Sequence, residues 1–187
     1  MAGPVPEHRL GGLIADFVRG RIEMLAQSYP EPVLQGIIEH RKIDSFTDAH
    51  PLFLASRARI SPSRRRVAGI IVDLAYDHLL SKHWQRFSDE PKAKFIQSVY
   101  QLLQDNHALL PERLQSMVPA MIAHDWLGSY EKLATLGLAF DRMSMRMKRT
   151  DALIGALGEV EREYEHLEKD FLAFFPEAIT FTQTIRE

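Results

Sequence analysis

The chain contains no cysteine, which excludes disulfides, thiolate metal sites and cysteine nucleophiles and fits a reducing cytoplasm. No apolar run reaches the roughly 18 residues that mark a membrane helix. The opening MAGPVPEHRL is too polar for the core of a signal peptide, so a cytoplasmic protein is expected, with residues 1–10 as a surface tail. Charge of either sign is not in excess: 23 basic against 25 acidic residues leave a net charge of −2. That removes any global preference for nucleic acid or membrane and confines such preferences to local patches. No segment alternates with period two, and no repeat or low-complexity tract occurs. P-loop, dinucleotide and Gly-x-Ser-x-Gly fingerprints are missing as well.

What is present is helical periodicity, nearly everywhere. With 187 residues, 45% of them hydrophobic, the chain is long enough for one all-α domain, 1–187, a bundle of about seven or eight helices. Residues 11–20 read as a short apolar helix ended by Gly20, and residues 33–44 carry Val33, Leu34, Ile37 and Ile38 at helical spacing. Ser61 and Pro62 read as an N-cap and first helical position, opening a helix that runs to about Phe87. SDEP at 88–91 opens the next, and Pro111 and Pro119 punctuate the segments after it. From near Thr150 to a stop at Pro176, apolar residues recur at steps of three and four.

Against this background, acids stand where a helix is otherwise apolar. In GIIVDLAYDHLLSKHW (69–84), Ile70, Asp73, Leu74 and Asp77 share one face of the wheel, with His78 at its edge. Asp16 falls angularly between Leu13 and Phe17, and Ile37, His40 and Asp44 form a stripe. A buried carboxylate protonates, pairs with a cation or binds a metal. Acids or imidazoles turned inward on three helices, with i and i+4 spacing in two, point to a shared divalent cation. An oxygen-rich set with one or two imidazoles suits Mn²⁺, Mg²⁺ or Fe²⁺, with Zn²⁺ as a further option. Taken singly, each acid also reads as a surface pair, Asp16 with Arg19 or Asp44 with Arg41, worth little. His124–Asp125 spells the dipeptide of HD phosphohydrolases, but Trp126 and Leu127 beside it favour a packed helix boundary. His83, His107 and His166 are lone histidines, each expected at the surface or at a boundary.

Four stretches, in this order and spacing, carry a resemblance: ADFVRG (15–20), HRKIDSFTDAHP (40–51), RRRVAGIIVDLAYDHLLSKHW (64–84) and DWLGSYEKL (125–133). Together they resemble the acyl carrier protein phosphodiesterase family, a non-standard branch of the HD phosphatases and phosphodiesterases. Where its members open with a short histidine-containing hydrophobic segment, this chain has MAGPVPEHRLGG. The resemblance implies an all-helical, HD-like fold and a Mn²⁺-dependent enzyme. Its substrate would be holo-acyl carrier protein, cleaved between 4′-phosphopantetheine and serine to give the apo protein.

The resemblance also implies a site on Asp16, His40, Asp44, Asp73 and Asp77, with His78 beside them. In the mechanism it suggests, Asp16, His40, Asp73 and Asp77 bind the metal, and Asp44 is a further ligand or the acid/base for water. His78 protonates the leaving serine oxygen or supports a ligand, and Arg66, seven residues before Asp73, holds the phosphate. Acyl carrier proteins are acidic, so Arg57, Arg59, Arg64 and Arg65, next to Arg66, form the expected docking patch. The alternative docking segment lies around Arg146, Lys148 and Arg149. Two rival functions remain at this point: an HD-like nucleotide phosphohydrolase, and a helical module that binds acyl carrier protein without catalysis.

Overall fold

A computed structural model describes residues 5–146 and 151–187. Among them there are twelve α-helices and no strand, three of the helices being single turns of four residues. In chain order they are α1 (Pro6–Ile14), α2 (Ile22–Leu25), α3 (Glu31–Ala49), α4 (Pro51–Arg59), α5 (Ala68–Lys82) and α6 (Trp84–Phe87). There follow α7 (Lys92–Asp105), α8 (Glu112–Ala123), α9 (Trp126–Ser129), α10 (Leu133–Arg146), α11 (Leu157–Arg162) and α12 (Tyr164–Thr184). The all-α expectation holds. No helix among the described residues is long and apolar enough to cross a membrane.

The chain forms two compact units, each assembled from separated segments. The first comprises Met1–Thr47, Ala93–Asp125 and Ala178–Glu187. Its helix α1 opens with Pro6 at the first helical position, where the missing N–H costs nothing. The expected surface tail is therefore helical from Pro6, and Leu10 is fully buried. Two glycines decide how α1 meets α3. A Cβ built on Gly11 would lie 2.0 Å from the Val33 carbonyl oxygen, and one on Gly36 2.0 Å from the His8 carbonyl oxygen. Only backbone fits at this crossing, so the two helices press together there. Glycine inside a helix costs about 1 kcal/mol against alanine; here the close contact and the burial of Leu10, Ile14, Val33 and Ile37 offset it.

The second unit comprises Asp48–Lys92 and Trp126–Glu177. Helix α4 starts at His50, whose side chain accepts the Leu52 N–H at 3.3 Å while its ring packs edge-on against Phe174. The core is aromatic: Tyr76 lies between Phe53, Phe171 and Phe174, with ring centroids 5.2–5.8 Å away. A polar knot crosses it, in which the Ser56 hydroxyl donates to Asp170 at 3.0 Å and meets the Tyr76 hydroxyl at 2.9 Å.

Three expected boundaries moved, each for a visible reason. The segment 62–67 is a 3₁₀ turn ahead of α5, because the Ser61 hydroxyl donates to Glu159 at 2.6 Å instead of capping a helix. Pro119 and Pro176 sit inside α8 and α12. Beyond Pro176, α12 continues because Ala178 and Thr182 are buried and Phe181 stacks flat on Phe46 at 4.3 Å. Packing there outweighs the hydrogen bond that proline deletes.

Candidate metal centre

The α1–α3 crossing sets the geometry of the site. Asp16 lies five residues beyond Gly11, in the 3₁₀ turn Ala15–Phe17 that ends α1. His40 lies four residues beyond Gly36 on α3, and Asp44 follows one turn later. After the turn the chain bends at Gly20, whose φ of 113° only glycine adopts without strain. Arg41 fixes this bend to α3 by donating to the carbonyl oxygens of Gly20 at 3.0 Å and Val18 at 3.4 Å. The surface pair of Arg41 with Asp44 considered from sequence gives way to this clasp. On the neighbouring face of α3, the buried Glu39 carboxylate is gripped by Arg186 through two guanidinium nitrogens and by His8 at 3.2 Å.

Asp16, His40 and Asp44 converge. His40 Nε2 lies 3.3 Å from Asp16 Oδ1 and 3.2 Å from Asp44 Oδ2, and one ligand atom from each residue lies within 4.8 Å of the others. Two carboxylates and an imidazole nitrogen at such separations suit one divalent cation with bond lengths of roughly 2.0–2.6 Å. Burial acts to lower the His40 pKa, but hydrogen bonds to Asp16 and Asp44 and their charges outweigh it and raise it to about 10. The hydrogen bond to His40 in turn lowers the pKa of the Asp16 carboxyl. Both carboxylates are exposed, which leaves room for water and substrate beside the cluster.

The other site candidates are placed differently. Asp73 and Asp77 belong to the second unit and are exposed, one turn apart on α5. Their inward orientation is corrected: α5 is buried on most of its circumference, and the two acids mark its solvent-facing line. His78 is 4% exposed. Its Nδ1–H donates to the Tyr130 carbonyl at 2.8 Å, and Nε2 accepts from the Tyr164 hydroxyl at 2.9 Å. Burial lowers its pKa. Both nitrogens are engaged inside the unit, Nδ1 by a backbone carbonyl and Nε2 by a hydroxyl. Asp125 ends α8 in the left-handed region, φ 43°, and accepts from the Tyr100 hydroxyl at 3.1 Å. The HD dipeptide is therefore part of a helix boundary.

The arginine patch divides in two. Arg59 pairs with the buried Asp170 at 3.3 Å. Arg64 pairs with the buried Glu159 at 3.4 Å and donates to the carbonyl oxygens of Ala152 and Ile154. Arg57 faces Asp48 at 3.7 Å and lies over the Phe53 ring. Arg59 and Arg64 are thus tied to buried acids of the second unit, while Arg65 and Arg66 are exposed on the 3₁₀ turn. Lys148, Arg149 and the side chain of Arg146, the alternative docking segment, lie outside the described residues.

A family match accounts for the motifs that built this cluster. Residues 1–178 match the family described as acyl carrier protein phosphodiesterase. The chain belongs to that family, and with it to the phosphodiester hydrolases. A protein of that name from Serratia proteamaculans (strain 568) is 37% identical over 171 residues, 90% of this chain and 86% of its own. One from Pectobacterium atrosepticum is 34% identical over 176 residues, 94% of this chain and 90% of its own. The Escherichia coli O139:H28 protein is 34% identical over 171 residues, 89% of this chain and 85% of its own. No solved structure matches the chain.

The sequence pointed to Asp16, His40 and Asp44 through i, i+4 spacing and placement among apolar residues. It did not single out Gly11, Gly36, Arg41 or the Glu39–Arg186 pair. Glycine inside an apolar helix, facing a second glycine-bearing helix, was the available signal for the crossing.

Proposed function

We propose that this chain hydrolyses the phosphodiester between 4′-phosphopantetheine and the serine of holo-acyl carrier protein, using a divalent cation, Mn²⁺ first, held by Asp16, His40 and Asp44. The carrying observation is the convergence of these three side chains, from ADFVRG and HRKID, in a member of the family described as acyl carrier protein phosphodiesterase. In the reaction, water oxygen bonds to phosphorus and the bond from phosphorus to the serine oxygen breaks. One proton of the water ends on that serine oxygen and the other is released as the 4′-phosphopantetheine monoester ionises. Bound at the cluster, a cation supplies Lewis acidity: it offsets the charge of the diester and acidifies water. The chain supplies orientation, through the glycine crossing and the Arg41 clasp. Asp73, Asp77 and Arg66 enter the reading through their motif, and Arg65 with Arg66 offers the exposed part of the docking patch.

The test is the mass of holo-acyl carrier protein after incubation with the protein and Mn²⁺. Loss of the phosphopantetheine mass is expected, with chelator suppressing it and Mn²⁺ restoring it. Asp16→Asn and His40→Gln are each expected to lower kcat by about a hundredfold or more together with Mn²⁺ content. Asp73→Asn and Asp77→Asn are expected to lower kcat as well. Intact holo protein with the wild type refutes the activity; normal turnover in His40→Gln refutes the metal centre.

A further inference from the structure

A groove of about 590 Å³ runs through the first unit along α1, α3 and α7, and two of its lining residues are His40 and Asp44. We propose that this groove receives the pantetheine arm of the substrate and so fixes the phosphodiester at the Asp16–His40–Asp44 cluster, an inference that rests on the phosphodiesterase reading. Two groups are esterified to the phosphorus of that substrate. One is the serine of a folded protein, far too large for this space, and the other is a narrow chain. Only the chain fits, in a volume within the roughly 300–1,000 Å³ of small-molecule sites.

The chemistry of the walls matches that chain. Pantetheine carries a gem-dimethyl carbon next to the phosphate end, then methylene segments separated by amides. Ile43 stands between His40 and Asp44 in sequence, and with Leu13, Phe95 and Leu102 it lines the groove while only partly buried. These apolar surfaces suit the dimethyl and methylene parts. Ser98 and Gln101, exposed on α7, offer hydrogen-bonding groups for the amides.

Gly12 supplies a separate observation. It lines the groove, and a Cβ built on it meets nothing within 4 Å, whereas its neighbour Gly11 has no room at all. The fold needs glycine at 11. At 12 the missing side chain keeps the groove open.

Gly12→Phe tests the proposal, because its side chain starts in open space on a helix and fills the groove without meeting the backbone crossing. The variant is expected to keep the helical circular dichroism and the Mn²⁺ content of the wild type. Its kcat/KM for holo-acyl carrier protein is expected to fall about tenfold or more, mainly through KM. Amide NMR supplies a readout independent of turnover. Free pantetheine is expected to shift the Gly12 and Ser98 signals of the wild type saturably, and to leave the Ser98 signal unmoved in Gly12→Phe. Should Gly12→Phe not fold, Gly12→Leu fills less space and is expected to shift kcat/KM in the same direction. Unchanged kcat/KM in the folded variant, or no saturable shift with pantetheine, overturns the assignment of the groove. A wild type that leaves holo-acyl carrier protein intact overturns the phosphodiesterase reading instead, and the pantetheine titration then decides the groove alone.

Discussion

At the scale of single residues, Glu159 shows how one carboxylate organises a turn. It is 7% exposed, and it accepts the Ser61 N–H at 3.0 Å, the Ser61 hydroxyl at 2.6 Å and an Arg162 N–H at 2.6 Å. Burial acts to raise its pKa, but these hydrogen bonds and the Arg162 charge outweigh it and hold the group down at about 2, against an ordinary 4.5. A carboxyl lowered on folding stabilises the protein fully above its unfolded value. That contribution is lost as pH falls from about 4.5 through about 2. Glu159→Gln is therefore expected to destabilise the protein at pH 7 by about 1–2 kcal/mol, since it weakens the charge-assisted hydrogen bonds that the buried carboxylate accepts from Ser61 and Arg162 and removes the partner of the half-buried Arg64. The difference between wild type and variant is expected to shrink between pH 4.5 and 2. Urea unfolding of both proteins across that range checks this, and a difference that does not change with pH contradicts it.

At the scale of elements, neighbouring glycines of α1 are expected to respond with opposite signs. Gly11→Ala places a methyl group against the Val33 carbonyl and Gly36→Ala places one against the His8 carbonyl. Each is expected to cost about 1–3 kcal/mol or more, as overpacked contacts do, and to weaken Mn²⁺ binding, because the crossing aligns Asp16 with His40. Gly12→Ala meets open space and is expected to stabilise by up to about 1 kcal/mol. Thermal unfolding and Mn²⁺ titration of the three variants read both effects. The helices themselves were legible in sequence, because their apolar spacing reflects a local geometry. So was the pairing of His40 with Asp44, one turn apart. The glycine crossing was not, because it is defined by two segments that meet only in space. The orientation of Asp73 and Asp77 was misread for another reason. Where a helix is apolar on most sides, the polar residues among its apolar neighbours mark its exposed line and not its core. Pro176 misled as a stop because burial of Ala178 and Thr182 carries α12 past it.

At the scale of the whole molecule, a net charge of −2 gives no long-range pull on an acidic protein substrate, so attraction must come from local patches. Counting arginines in sequence overstates the patch at 57–66. Arg59 and Arg64 already neutralise Asp170 and Glu159 inside the second unit, and their charge is largely spent there. Arg65 and Arg66 are exposed and carry what field remains. Arg65→Glu is accordingly expected to raise KM for holo-acyl carrier protein about threefold to tenfold at low ionic strength with kcat little changed. It is also expected to flatten the dependence of KM on salt, because exposed charges act on encounter and are screened beyond roughly 8–10 Å. Arg66→Ala is expected to lower kcat as well, because the proposed role of its guanidinium is to hold the phosphate. Arg59→Glu and Arg64→Glu are expected to act instead on stability, leaving Asp170 or Glu159 buried beside a like charge. Steady-state kinetics at two ionic strengths, with melting temperatures of all four variants, separates the two groups. Equal KM and salt slope in Arg65→Glu and the wild type would place carrier-protein docking on another surface.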